Sequence, residues 1–585
     1  MRSKLLILTV TLAVSAMSAF ADTAPCIVNI VNFVRKTEPR IDAITDDILY
    51  KTTESELASM LQNGLNGTFL LQYDALIDPK YQELMRSLPA NFEVGAWWEI
   101  TQPHVEAAGM TWRGRYPWDW HANVGFATGY TPQEREKLVD AYMKKFKDVF
   151  GKYPASVGSW FIDAHTLKYL ADKYHIVASC NCRDQVGTDG YTMWGGYWQG
   201  AYYPSKNNAY IPAQTKNAQI NVPVFKMLGS DPLYQYECGV GGVVQGVSTL
   251  EPVYEAGGGS DSWVDWYLRV VTQDPAMGYT YFQAGQENSF TWDRIRPGFE
   301  MQMPKIAALS QIGILKVETL EESGKNFSKR YKQTPPTATS AMSDYTPRNS
   351  KTLWFNSRYY RTNLFWERGA FRFRDIQVFN EDNKSPYLTT PGTSTECRYF
   401  ALPLVDGCLW SKTEYMAGLR ILERDGKGEY NEINCIGQNI NPSGNTTIVT
   451  INATGGSQYV ISLKEKTITV TSAAGKAYCL ELTTAQGAAT PFTAIAPGRI
   501  SANRDGFAYS ATLSGGTFTD LRTTPGKICR ITPAGKSITL HLAQSKARHK
   551  KADTAQVTTK RLENGRKATS KLPPPHTRAT TLQRC

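Results

Sequence analysis

Apolar runs that stop at a charge or a turn, each followed by a segment with apolar residues three and four apart, fill the first half of the chain. Ile27 to Val34 (IVNIVNFV) shows no polar alternation until Arg35, the pattern of a strand buried on both faces. Thr53-Glu54-Ser55-Glu56 has the form of a capping box and predicts a helix carrying Leu57, Met60 and Leu61, stopped by Gly64. Gly67 to Asp74 reads as a second strand, and Asp78-Pro79 opens a helix with Tyr81, Leu84 and Leu88 on one face. Phe92 to Ile100 (FEVGAWWEI) is a third strand. Thr131-Pro132-Gln133-Glu134 is a capping box with proline at the first helical position, and Leu138, Tyr142, Phe146 and Val149 follow at helical spacing before Gly151.

Val157 to Ile176 then combines a fourth strand with its helix. The apolar run through Trp160, Phe161 and Ile162 reaches Asp163, and helical spacing resumes at Leu167, Leu170 and Tyr174. Ile176 to Cys180, Val222 to Leu228 and Met277 to Ala284 complete a set of seven strands. This alternation over residues 27–310 predicts an α/β fold, an irregular seven-stranded parallel β/α barrel whose chemistry gathers at the carboxyl ends of the strands.

After Lys316 the period changes. Residues 321–347 contain Pro335-Pro336 and many Ser and Thr, the composition of a connector. Phe371 to Phe379, Thr446 to Asn452, Gln458 to Leu463 and Thr467 to Thr471 alternate with period two between Gly and Asn turns, which predicts an all-β, sandwich-like region. The expected organisation is a signal peptide at 1–21, the barrel at 22–315, a linker at 316–350, the β-region at 351–545, with room for two subdomains, and a basic disordered tail at 546–585.

Charge changes this picture only at the ends. The net charge is +11, but residues 546–585 carry eleven Lys and Arg against two Asp and Glu, and Arg2 and Lys4 supply the remaining +2, so the body between is neutral. A nucleic-acid partner has no support outside the tail. Arg2, Lys4, the apolar run Leu5 to Val14 and Ala19-Phe20-Ala21 form a secretory signal, which predicts export to the periplasm or the extracellular space; no later stretch is long and apolar enough to span a bilayer. The ten cysteines form no paired CxxC pattern. Cys180 and Cys182 read as core thiols, and Cys397 with Cys408 and Cys479 with Cys529 are the disulfides considered for an exported chain.

Gly67-Thr68-Phe69-Leu70, followed by Tyr81-Gln82-Glu83-Leu84 and Phe92-Glu93-Val94-Gly95, resembles the strand, short helix and strand of the glycoside hydrolase/deacetylase superfamily. Trp160-Phe161-Ile162-Asp163 is similar to the block that carries the nucleophile in glycoside hydrolase family 57. Gly285-Gln286-Glu287-Asn288-Ser289-Phe290-Thr291-Trp292 occupies the place of that family's acid-bearing segment. The resemblance covers about half of the chain. It implies a retaining two-carboxylate mechanism with Asp163 as nucleophile and Glu287 as acid/base, without metal or other cofactor. An Asp stands where that family has Glu, and aligning on Phe290 instead puts Gln286 in the acid's place.

The residues leave each role open to a simpler reading. Asp163 is also a preferred helix N-cap. Glu99 follows Trp97-Trp98, where burial would favour an acid role, but Arg113 and Arg115 are candidate partners for it. Trp98, Trp112, Trp118, Trp120, Trp194, Trp198 and Trp292, with His104, His121 and Asp231, are candidate contacts to an oligo- or polysaccharide, and each Trp is equally a core residue. The barrel histidines include no pair four apart of the kind a metal-dependent deacetylase uses, so no metal site is expected. Glycoside hydrolysis, polysaccharide deacetylation and glycan binding without catalysis remain the three functions considered.

Overall fold

The computed structural model describes residues 25–188, 190–241 and 244–543. The expected leader and basic tail lie outside them. Seven parallel strands form the body of one curled sheet: β1 (Cys26–Val34), β2 (Thr68–Leu71), β3 (Glu93–Trp97), β4 (Ser156–Gly158), β5 (Ala178–Asn181), β6 (Val224–Lys226) and β7 (Tyr281–Ala284). Their spatial order is β7-β1-β2-β3-β4-β5-β6, so the chain order is kept until β7 returns to pair with β1, and Leu315–Val317 adds an eighth parallel strand beside the start of β1, beyond the seven the sequence pattern predicts. Ala201–Tyr202 adds an antiparallel strand to the outer edge of β6. Among the described residues no ladder joins β6 to β7. The two meet through the rings of Phe225 and Tyr281, whose centroids are 5.1 Å apart. The expected barrel is therefore a curled, incomplete one.

Burial on both faces explains why β1 is apolar apart from Asn29 and Asn32. Val31 and Phe33 join Leu70, Trp97, Cys180, Cys182, Phe225 and Tyr281 in one interior cluster. Val28, Ile30 and Val34 face the outer helices. The interior is narrow: a Cβ on Gly158 would stand 2.6 Å from both Leu70 and the Cys180 sulfur, so this position has room only for hydrogen.

Outside the sheet lie α1 (Asp46–Gln62), α2 (Pro79–Arg86), α3 (Pro132–Phe150), α4 (Ala164–Tyr174), α5 (Asp261–Gln273) and α6 (Trp292–Gln311). The α3 capping box forms between Thr131 and Glu134, and Gly151 closes the helix at φ 74°. α1 starts earlier than the sequence pattern suggests. Thr45 caps it and Asp46 and Asp47 fill its first turn, so the Thr53–Glu56 box lies inside the helix, where Thr53 and Glu56 are buried.

The remainder is all-β apart from α7 (Leu320–Arg330), which has its own capping box from Thr319 and Glu322. Residues 316–350 thus hold a helix and the strand Thr337–Ala341 where a connector was expected. An eleven-stranded and an eight-stranded sheet follow. They share one core: Leu353, Phe355, Phe373 and Leu480 come from the first, and Val449, Ile461 and Val470 from the second. Thr446–Ala453, Gln458–Lys464 and Thr467–Ala474 bury every second residue, as a two-layer packing requires.

The two halves are interwoven. Ala276–Met277, just before β7, pairs with Thr337–Ala341, and Tyr191–Trp194 pairs in parallel with Cys397–Phe400. Cys397, Cys408, Cys479 and Cys529 are all free thiols, contrary to the two disulfides considered. Cys479 lies across from Leu422, while Cys529 lies across from Leu482, three residues further along the same strand. Positions three apart face opposite sides of a sheet, so these two sulfurs cannot meet.

Gly285 ends β7 at φ 103°, and a Cβ there would stand 2.2 Å from the Val31 carbonyl oxygen. Gly285→Ala is expected to destabilise the fold by at least about 2 kcal/mol, through left-handed backbone strain and collision with β1. Urea unfolding of purified protein measures it.

Candidate active site

The carboxyl ends of β1, β2, β3 and β7 deliver Arg35, Gln72, Glu99 and Glu287 to one place. Arg35 and Glu99 each lie two residues beyond an interior ring, Phe33 and Trp97, and so continue the inward face past the last apolar layer. The Glu99 carboxylate accepts from Arg35 Nε at 2.9 Å, Arg35 Nη2 at 2.7 Å and Gln72 Nε2 at 2.7 Å. On the other side, Arg35 Nη1 lies 2.6 Å from Glu287 Oε2 and donates to Ser289 Oγ at 3.1 Å. Asn288 fixes the Arg35 backbone: its Oδ1 accepts from Arg35 N at 3.0 Å and its Nδ2 donates to Arg35 O at 2.8 Å. Burial opposes the Arg35 charge, but the fields of Glu287 and Glu99 outweigh it and hold the guanidinium firmly protonated.

More acids surround this centre. Glu38 lies 4.0 Å from Arg35 and is held as a carboxylate mainly by Arg40, against its burial. Glu251 accepts from Thr249 Oγ1 at 2.7 Å and from Gln286 Nε2 at 3.3 Å. Asp74, in the turn after β2, is pushed up to about 7 by burial. Its Oδ1 accepts from the Ala75 N–H at 2.7 Å, and its Oδ2 is buried without a hydrogen bond.

An aromatic rim stands over the acids. The Trp118 ring lies 4.3 Å from the Arg35 guanidinium. Tyr116 and Trp120 stack at 5.9 Å and 10°, with Arg115 4.7 Å from the Trp120 ring. Tyr116 is exposed and Trp120 and His121 are half-buried, so this rim offers apolar faces to solvent beside a charged centre. A cavity of about 180 Å³ lined by Ile27, Tyr279, Lys316 and Arg330 sits at the opposite, amino end of the strands. Charged groups converge at the carboxyl end, which is why the site is placed there.

The other expected site residues have structural partners. Asp163 is the N-cap of α4: Oδ1 accepts from Thr166 N at 2.9 Å and from Arg135 Nη1 at 2.9 Å, and Oδ2 accepts from Thr166 Oγ1 at 2.6 Å. Both members of the Arg135–Asp163 pair are fully buried. Asp163 and Glu287 therefore belong to separate networks, and the capping role accounts for Asp163. Glu99 pairs with Arg35 rather than with Arg113 or Arg115; Arg115 binds Asp119 and Arg113 donates to Gly129 O.

Trp98, just after β3, and His104, in the short helix Gln102–Ala107, both pack with Tyr142, and His104 also stacks on Tyr73 at 4.6 Å. Trp194 donates to Asp406, and Trp198 stacks on Trp354 at 3.8 Å and 5°, so both join the barrel loops to the β-region. Asp231 is fully buried and receives the N–H groups of Leu233 and Tyr234, the Trp263 indole N–H and the hydroxyls of Tyr345 and Ser248. Trp292 packs on Phe299 within α6. Of the expected sugar contacts, Trp120 and His121 stand half-buried at the mouth, while Trp118 is buried against Arg35.

Arg35, Gln72, Asp74 and Glu251 were absent from the expected set. Arg35 carried a signal, being the first charge after an unbroken apolar strand; the other three carried none. Among the described residues no three His, Cys, Asp or Glu side chains converge as a metal would require. The middle of the acidic cluster is filled by the Arg35 guanidinium, so these donors do not fit a cation.

No family model matches this chain, and no curated protein does. Solved structures do align with it remotely. A Parabacteroides distasonis protein named as a glycoside hydrolase/deacetylase shares 15% identity over 65% of this chain and 91% of its own, with a TM-score of 0.48. A Mycobacterium smegmatis protein named as a polysaccharide deacetylase shares 13% over 53% and 92%, with a TM-score of 0.34. A family 4 carbohydrate esterase from Streptomyces lividans shares 12% over 50% and 93%, with a TM-score of 0.24.

His104 is buried and its only ring contact to a polar group is Nε2 with Leu138 O at 2.8 Å; burial pushes it down to about 4. Its folded value lies below its unfolded one, so unfolding takes up a proton and stability is lost as pH falls from about 6.5 to about 4, by about 3 kcal/mol in total. Asp74, displaced upward, has the opposite slope, losing stability as pH rises from about 4 to about 7. The difference in Tm between wild type and His104→Phe, followed from pH 7 to pH 4, isolates the histidine and is expected to move in favour of the variant on acidification.

Proposed function

We propose that this chain is a carbohydrate-active hydrolase whose centre is the Glu99–Arg35–Glu287 cluster, and that it cleaves glycosidic bonds. The observation that carries this reading is the sharing of one guanidinium by two carboxylates from different strands, beneath an aromatic rim. Two carboxylates on one guanidinium lie within roughly 8 Å of each other, which spans the separations used for retention, about 5–5.5 Å, and part of those used for inversion. A retaining mechanism is the version proposed here.

Glu99, gripped by three donors, fits the role of the group that stays a carboxylate and attacks the anomeric carbon. Glu287 is the more accessible of the two, 5% exposed against 1%, and is assigned the role of acid toward the leaving oxygen and then base toward water, for which it must first take up a proton from solvent against the field of Arg35, 2.6 Å away. Arg35 orients both and limits the repulsion between them. Trp120 and Tyr116 offer ring faces to the apolar side of a sugar. Arg2 to Ala21, read as a leader, supports a site of action outside the cytoplasm.

Glu287→Gln and Glu99→Gln are each expected to lower kcat about 10²- to 10⁴-fold on the glycan that the wild type cleaves. Asp163→Asn is expected to lower Tm while the protein still folded keeps its turnover. Reducing-end release across a glycan panel measures all three. Full activity in both glutamate variants would falsify the assignment, and release of acetate instead of reducing ends would transfer the site to deacetylation.

A further inference from the structure

Two buried cations at the same mouth have no part in the Arg35 cluster. Arg183 lies two residues beyond β5 and Lys226 ends β6, and each is 4% exposed. Lys226 Nζ donates to the Cys182 carbonyl and lies 5.1 Å from the Tyr210 ring. Arg183 Nη1 donates to the Asp184 carbonyl at 2.7 Å, while its Nε is buried without a hydrogen bond. The two are close enough for Arg183 to act on Lys226, whose ammonium is held down to about 8 by burial and then by the neighbouring guanidinium groups, against the pull of Asp184.

The adjacent carboxylate is already committed. Asp184 receives the Tyr210 hydroxyl, Gly195 N at 3.0 Å and the buried Arg361 guanidinium. Among the described residues neither Arg183 nor Lys226 has a carboxylate within ion-pair distance. Burying a guanidinium and an ammonium with no ion-pair partner is costly, the field of Asp184 offsets only part of that cost at Lys226, and a bound anion offsets the rest. The two cations lie at the carboxyl ends of β5 and β6, the same end of the sheet that carries Glu99 and Glu287. Arg183, Lys226 and Glu251 all act on the Cys182 thiol at the end of β5, and Glu251 is bound by Gln286, the residue before Glu287.

We infer that Arg183 and Lys226 bind the carboxylate of an acidic sugar, so that the glycan held beside Glu99 and Glu287 contains uronic acid residues. A guanidinium presents two parallel N–H groups that match a planar carboxylate, and the ammonium adds a point charge beside it. The inference rests on the proposed glycan site but concerns which glycan enters it.

The test is titration calorimetry of the full chain, as wild type, Arg183→Gln and Lys226→Met, with galacturonate and glucuronate oligosaccharides, their neutral counterparts and a sulfated oligosaccharide. Wild type is expected to bind one uronic series at least tenfold more tightly than its neutral counterpart, and each variant to lose that preference. Equal affinity for acidic and neutral sugars in the wild type would overturn the inference, and that comparison needs no variant to fold. Equal or tighter binding of the sulfated sugar would overturn the choice of a carboxylate. Glu287→Gln separates the two proposals: it is expected to keep uronate binding while losing turnover. Uronate binding with no turnover in the wild type would sink the hydrolase reading alone.

Discussion

One buried guanidinium holds the carboxyl end of the curled sheet together. Arg35 leaves β1, grips the carboxylate that follows β3 and meets the one that follows β7, while Asn288 clamps its backbone. Three segments far apart in sequence are thereby fixed relative to one another just beyond the ends of the ladders, where the last backbone pairing is the Phe33–Glu287 bridge. Removing either partner of such a pair leaves an uncompensated charge in a low dielectric, a loss of about 3–5 kcal/mol. That cost makes the geometry specific: the fold itself holds Glu99 and Glu287 in fixed positions on either side of Arg35.

The same device recurs where the barrel loops meet the β-region. Arg361 Nε lies 2.6 Å from Asp375, its Nη1 reaches Asp184, and Tyr236 donates to Asp375 at 2.7 Å. Burial pushes Asp375 up to about 6 in spite of Arg361. Around this polar knot, Trp198 stacks on Trp354, and Trp194 packs against Tyr236. The tryptophans in the loops after β5 thus form a structural seam, and the rim after β3 is left to face solvent. The β-region completes the core of those loops, which is why no clean linker divides the halves.

Periodicity and turn chemistry were legible because they are local. The seven parallel strands, the Asp78-Pro79 helix start, the Thr131 capping box and the Gly151 stop all occur where the pattern places them. Thr53-Glu54-Ser55-Glu56 misled because a capping box needs a chain that is free to begin a helix there, and the preceding Thr45-Asp46-Asp47 had already begun it. Asp163 misled differently. A carboxylate at a strand end can react or can cap, and the structure shows Asp163 capping α4 with Arg135, 28 residues earlier, on the same oxygen.

The sequence by itself determined the class of fold, and side-chain alternation along β3 set Glu99 at the carboxyl end of the sheet. Glu287 was singled out by resemblance to a family's acid-bearing segment, with Gln286 as the alternative. Only the tertiary structure decided which charges meet. Whether Glu99 faces Arg35 or Arg115, whether a tryptophan lies at the rim or in the seam, and whether Arg183 has a carboxylate beside it depend on residues tens or hundreds of positions away. Such pairing depends on position in space and on burial, and no local periodicity records either.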